Sequence, residues 1–152
     1  MFQACKINKI LLFLKIVPLS AGSACVMIRR NTVAGLRILY VEDDPRLSVY
    51  PPKQWPRAGH TVVLAENGLQ AWELLDKGEK FDLVVTDHDM PLMTGLELLQ
   101  RIRADVRFEN LPVIVWSGND RIEPEVLALK GHFISKGTDP TLVLEAINQS
   151  QG

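Results

Sequence analysis

Short apolar runs alternate along this chain with stretches whose apolar residues recur at helical spacing. Residues 36–41 are apolar apart from Arg37 and end on the acids Glu42, Asp43 and Asp44, which reads as a buried strand. Runs of the same kind fall at 61–65, 81–86, 112–116 and 133–135. Between them, Asn67 caps a predicted helix reaching Lys77, with Ala71, Trp72, Leu74 and Leu75 on one face. Gly95 opens another, with Leu96, Leu99 and Ile102 as its stripe and Arg101 and Arg103 near its C-terminus, where cations suit the helix dipole. Residues 123–130 form a short helix, and Asp139-Pro140 announces a last one carrying Leu142, Val143, Ala146 and Ile147. Asp44-Pro45 gives the same cap-plus-proline signal for a helix after the first strand. There Pro51, Pro52 and Pro56 fall where its interior should lie, and an interior proline costs about 3 kcal/mol. That helix is expected to be short or broken, with Leu47, Val49 and Trp55 covering the sheet and Gly59 ending it.

Five strand-then-helix units predict an α/β fold: one doubly wound parallel sheet of five strands with helices on both faces. At 152 residues the chain has room for one such domain, over residues 36–150. Residues 1–35 stand apart as an N-terminal extension. Their apolar core is interrupted by Lys15 and Pro18, and a central lysine costs about 2.5–3.5 kcal/mol on membrane-insertion scales. Three readings stay open for this segment: an upstream extension with the true start at Met27, a poorly ordered tail, or a targeting sequence. A formal charge of -1 gives no electrostatic footprint for nucleic acid, so the expected partner is a protein and not a membrane. The two cysteines, Cys5 and Cys25, build neither a disulfide framework nor a zinc site, which fits a reducing, cytoplasmic setting.

The candidate chemistry sits where the strands end. Open α/β sheets bind ligands outside the carboxyl ends of their strands, and those ends carry Glu42-Asp43, Asp87, Ser117 and Lys136 in turn. Taken singly, each has an ordinary structural reading. Asp44 is an N-cap, Glu42-Asp43 a solvated turn, Ser117-Gly118 a strand terminus, Lys136 a surface lysine, His88 a half-exposed neighbour, and Trp55, Trp72 and Trp116 core fillers. Their common position at strand ends is what sets them apart.

This set of residues resembles the receiver domain of two-component response regulators, a flavodoxin-like (βα)5 fold, over about residues 36–149. The separations Asp43 to Asp87 and Asp87 to Ser117 fit the family pattern without gaps. Met90-Pro91 and Gly95 match its turn, and Phe133 its aromatic three positions before the lysine. The resemblance implies a stand-alone phosphoacceptor that takes a phosphoryl group on Asp87 from a sensor histidine kinase or phosphotransfer protein and signals to a downstream protein target. It would catalyse only its own Mg²⁺-dependent phosphorylation and dephosphorylation. The implied Mg²⁺ ligands are Asp43, Asp87, the backbone carbonyl of Asp89, and Glu42 through water. Ser117 and Lys136 would hold the phosphoryl oxygens, and Ser117 and Phe133 would form the switch. Asp89 and Asn119 occupy positions that influence phosphoryl lifetime in the family. Two departures stand out: Gly137 replaces the usual proline after the lysine, which should loosen Lys136, and the stretch from Ser117 to Lys136 is a few residues shorter than usual. Two alternatives remain. One is a receiver-like interaction module that is never phosphorylated. The other is a haloacid-dehalogenase-type phosphatase, which shares the Asp87-His88-Asp89 pattern but places its second acid pair after the lysine.

Overall fold

The computed structural model describes residues 35–47 and 50–137, together with Val143, Glu145 and Ala146. The readings made for residues 1–34, for Val49, and for Asp139, Pro140, Leu142 and Ile147 lie outside the described residues. The strands are β1 (Arg37–Val41), β2 (Thr61–Ala65), β3 (Leu83–Thr86), β4 (Val113–Ser117) and β5 (His132–Ser135). The helices are α1 (Tyr50–Arg57), α2 (Gly68–Asp76), α3 (Gly95–Ala104) and α4 (Glu123–Ala128). All strand pairs are parallel, in the order β2-β1-β3-β4-β5.

Strand alternation divides the core into two layers, because successive side chains leave a strand on opposite faces. Leu39, Val41, Val84, Val113 and Val115 pack with Ala71 and Leu75 of α2, Leu98, Leu99 and Ile102 of α3, and Val126 of α4. Ile38, Tyr40, Leu83, Val85, Ile114 and Trp116 pack with Trp55 of α1 and Val143 on the other face. Trp55 is the anchor of that second layer, buried and edge-on to Tyr40 with ring centroids 5.2 Å apart.

The first helix differs from the expectation in instructive ways. Pro45, Arg46 and Leu47 form a turn, and the helix begins only at Tyr50. Pro51 and Pro52 therefore fall in its first turn, where a backbone N–H would have no helical partner in any case. Pro56 lies one residue from its end, and α1 is short but unbroken. It closes on a left-handed Gly59 (φ 94°): Gly59 N–H donates to the Pro56 carbonyl and His60 N–H to the Trp55 carbonyl, the paired bonds of a Schellman motif. Asp44 caps the turn and not a helix, accepting from the Arg46 backbone N–H at 2.8 Å as an Asx-turn does. Leu47, expected to cover the sheet, is 41% exposed because it sits in this turn.

Two stabilising features lie beyond the hydrophobic pattern. Thr94 and Glu97 form a reciprocal capping box at the start of α3. Arg103, read as a dipole-compensating cation, turns its guanidinium onto the carbonyls of Phe108, Leu111, Leu129 and Lys130, tying the α3–β4 connection to the end of α4. The end of α4 repeats the Schellman bonds, but with Lys130 in the left-handed position (φ 55°) and Gly131 one residue later. Glycine is needed at 131 because a Cβ there would crowd Leu99 Cδ2 and Val126 Cγ1. Lys130 thus carries the left-handed strain. Lys130→Gly is expected to stabilise the domain by about 0.5–1 kcal/mol, since a side chain at such φ costs about 1–2 kcal/mol and glycine gives part of that back as entropy. An unchanged or lowered urea midpoint would contradict this.

Candidate functional site

The carboxyl ends of β1, β3, β4 and β5 converge, and Glu42, Asp43, Asp87, Ser117 and Lys136 each occupy the end they were expected to. Glu42 and Asp87 extend the β1 and β3 ladders by one step, through Glu42 N–H to the Ala65 carbonyl and Asp87 N–H to the Val41 carbonyl. Side-chain oxygens of Glu42, Asp43 and Asp87 lie within 4.8 Å of one another. Glu42 and Asp87 are buried, at 4% and 7% exposure, while Asp43 faces solvent.

Lys136 reaches over this group from the end of β5. Its Nζ stands 3.0 Å from Glu42 Oε2 and 3.2 Å from Asp87 Oδ2, and its backbone N–H donates to the Ser117 carbonyl. Two buried carboxylates and a ladder hydrogen bond thus hold the lysine in this position, with Gly137 following it. Burial pulls the ammonium towards neutrality, but the Glu42 hydrogen bond and the charges of Asp87 and Glu42 more than reverse this, and its pKa is raised. Burial also raises the pKa of Glu42, and Lys136 only partly opposes it.

Tyr40 was not singled out in the sequence, yet its hydroxyl lies 3.4 Å from the same Glu42 Oε2 that pairs with Lys136. The signal was available: Tyr40 is two residues before Glu42 in a strand, hence on the same face. Trp116, read as a core filler, is buried as expected, and its ring also lies under Lys136 Nζ at 5.9 Å.

The remaining expected residues border the group. Ser117 is fully buried, and its Oγ accepts the Asn119 N–H at 3.1 Å. Phe133 is half-buried against the α2–α4 layer, paired with Val115. Asp89 is exposed, with its carboxylate 3.9 Å from His88 Nε2, and His88 N–H donates to Asp87 Oδ1 at 2.7 Å. Gly95 packs its backbone directly against the Asp87 carbonyl. A cavity of about 720 Å³, lined by Phe81, Phe108, Arg107 and Leu111 among others, shares no residue with the acids.

A parallel five-stranded sheet with an acid cluster, a lysine and a hydroxyl at its carboxyl edge defines the class: a doubly wound α/β domain with a cation- and phosphoryl-compatible site. Residues 38–148 match the response regulator receiver domain family, and the chain belongs to that family. It is 32% identical to a chemotaxis protein CheY homolog of Campylobacter jejuni over 121 residues, which is 77% of this chain and 93% of that protein. It is also 32% identical to chemotaxis protein CheY1 of Helicobacter pylori, over 74% of this chain and 94% of that protein. Among solved structures, the response regulator TrrA of Thermotoga maritima, in complex with Mg²⁺-BeF, superposes with a TM-score of 0.68 at 23% identity, covering 76% of this chain and 98% of that one. A response regulator receiver protein from Pseudomonas putida gives 0.68 at 28% identity, covering 76% and 98%. The chain is thus a phosphoacceptor of two-component signalling and a signalling protein instead of a classical enzyme. Neither the phosphatase reading nor the silent interaction module is favoured.

Proposed function

We propose that Asp87 is the phosphoacceptor and that Glu42, Asp43, Lys136 and Ser117 assemble its reaction site. The observation carrying this reading is the contact of Lys136 Nζ with both Glu42 and Asp87 at the edge of a three-carboxylate cluster. Three carboxylates against one ammonium leave a formal charge of two negatives (-3 + 1 = -2), which a divalent cation would neutralise. The donors are all hard oxygens, the set Mg²⁺ prefers. Asp43, Asp87 and the Asp89 carbonyl would hold the ion, with Glu42 acting through water. Bound there, Mg²⁺ supplies charge neutralisation for phosphoryl transfer.

In the transfer, a carboxylate oxygen of Asp87 attacks the phosphorus of a phosphohistidine. The P–N bond breaks, its electron pair leaves with the imidazole, and a mixed carboxyl–phosphate anhydride forms. Lys136 then exchanges its Asp87 contact for a phosphoryl oxygen. The Ser117 hydroxyl, held by Asn119 N–H in this structure, turns to a second. The adduct adds a charge of about -1.5 to -2, and Phe133, on the same face of the sheet as Ser117, responds to that movement. The donor is a sensor histidine kinase or phosphotransfer protein, and the output is a protein–protein contact in the cytoplasm. Asp89 and Asn119, flanking the site, set how long the adduct lasts.

Incubation with acetyl phosphate and Mg²⁺, followed by borohydride reduction and peptide mass spectrometry, tests the reading. Asp87 is expected to be reduced to homoserine in the wild type, and Asp87→Asn to give no labile adduct. A label on another residue, or none at saturating donor, would overturn it.

A further inference from the structure

Resting on Asp87 as phosphoacceptor, we infer that Trp116 is a positioning residue for Lys136, its indole face keeping the ammonium over the reaction site. The register leads to it. Val41 pairs with Thr86, and Thr86 with Val115, so one step further along the sheet Glu42, Asp87 and Trp116 form a single row across β1, β3 and β4. Trp116 pairs in turn with Ile134, and Lys136, two residues beyond Ile134, leaves β5 on the same face. The lysine therefore crosses an acid, an acid and an aromatic ring: Nζ lies 3.0 Å from Glu42, 3.2 Å from Asp87 and 5.9 Å from the Trp116 centroid. A cation within about 6 Å of an indole face is attracted by the ring quadrupole, more strongly when partly desolvated. The Lys136 side chain is 23% exposed and Trp116 7%, so water screens this contact only in part.

The contact matters because the carboxylates cannot hold Lys136 throughout the reaction. Once Asp87 takes up the phosphoryl group and Glu42 turns to the water of a bound cation, the ammonium must leave Asp87 for a phosphoryl oxygen and changes its anionic partners on the way. The indole takes part in neither change and continues to support the ammonium. Gly137, in place of proline, gives the backbone after Lys136 no stiffness of its own. Among the described residues the Trp116 Nε1 is buried without a hydrogen-bond partner. A leucine or phenylalanine would fill the layer without an unsatisfied donor, so the position is poorly explained as packing alone.

Two variants separate the roles: Trp116→Phe keeps a ring face, and Trp116→Leu keeps apolar bulk without one. Reductive methylation of Lys136 in metal-free protein, followed by mass spectrometry, reads the placement of the ammonium independently of phosphorylation. Methylation is expected to be about threefold faster in Trp116→Leu and near the wild-type rate in Trp116→Phe. With acetyl phosphate at saturating Mg²⁺, Trp116→Leu should label about fivefold more slowly, Trp116→Phe should recover most of the rate, and Trp116→Leu should add nothing in a Lys136→Met background. Unaltered methylation in Trp116→Leu, equal losses in the two variants, or the same slowing with and without Lys136 would overturn the inference. If the wild type gives no Asp87 adduct, the phosphoacceptor reading fails, while the methylation result still decides the role of Trp116.

Discussion

Asp43→Asn should lower the rate of labelling by acetyl phosphate on the order of a hundredfold and remove the thermal stabilisation expected of the wild type on adding Mg²⁺. Of the three clustered acids, Asp43 alone is exposed and has no ammonium partner among the contacts of Lys136, whose Nζ is committed to Glu42 and Asp87. It is the carboxylate most available to an incoming cation. The amide keeps its shape and loses its charge. A metal acting as Lewis acid contributes several kcal/mol to transition-state stabilisation, and each 1.36 kcal/mol is tenfold in rate. A ligand that binds only the folded protein stabilises it by about 2.7 kcal/mol at a hundred times its dissociation constant. A melting curve with and without Mg²⁺ therefore reports binding without any phosphodonor. If Asp43→Asn keeps both the Mg²⁺ shift and the labelling rate, the acid cluster is not the cation site.

Gly95→Ala is expected to destabilise the domain by about 3 kcal/mol, at the upper end of overpacking costs, and to slow phosphorylation as well. Gly95 is the first residue of α3, where alanine would ordinarily favour a helix over glycine by about 1 kcal/mol. The added methyl would overlap the carbonyl oxygen of Asp87 and crowd its carbonyl carbon and the His88 Cα. These are backbone atoms, and they cannot swing aside as the end of a side chain can. The backbone of Asp87 is further tied by its N–H to the Val41 carbonyl, and Gly95 N–H donates to the His88 carbonyl. Relief must come from moving α3 away or from turning Asp87. The urea midpoint and the labelling rate measure these two outcomes. If Gly95→Ala matches the wild type in both, the close approach is not a real constraint.

Much of this was legible because the underlying periodicities are local. The two-residue alternation in β1, β3 and β4 separates Leu39 and Val41 from Ile38 and Tyr40, and each set packs in its own layer. The acids, the hydroxyl and the lysine could be placed together because strands of one parallel sheet end at one edge. The proline-rich first helix was less legible. Pattern alone could not show that the turn at Pro45–Leu47 delays the helix until Pro51 and Pro52 fall in its harmless first turn. The Thr94-Glu97 capping box was present in the spacing and could have been read.

The order of residues by itself determined the five strands and the helices that follow the first four of them, the acid, hydroxyl and lysine at the strand ends, and the family, since these depend on spacing along the chain. Tertiary structure decided what each group touches. It placed Lys136 across Glu42 and Asp87, set the Trp116 ring beneath the ammonium and Tyr40 behind Glu42, turned Arg103 onto four carbonyls, and brought Gly95 against Asp87. The reason is physical: these contacts join residues from different elements, and their distances follow from how strands register and helices pack, which no spacing within a single element contains.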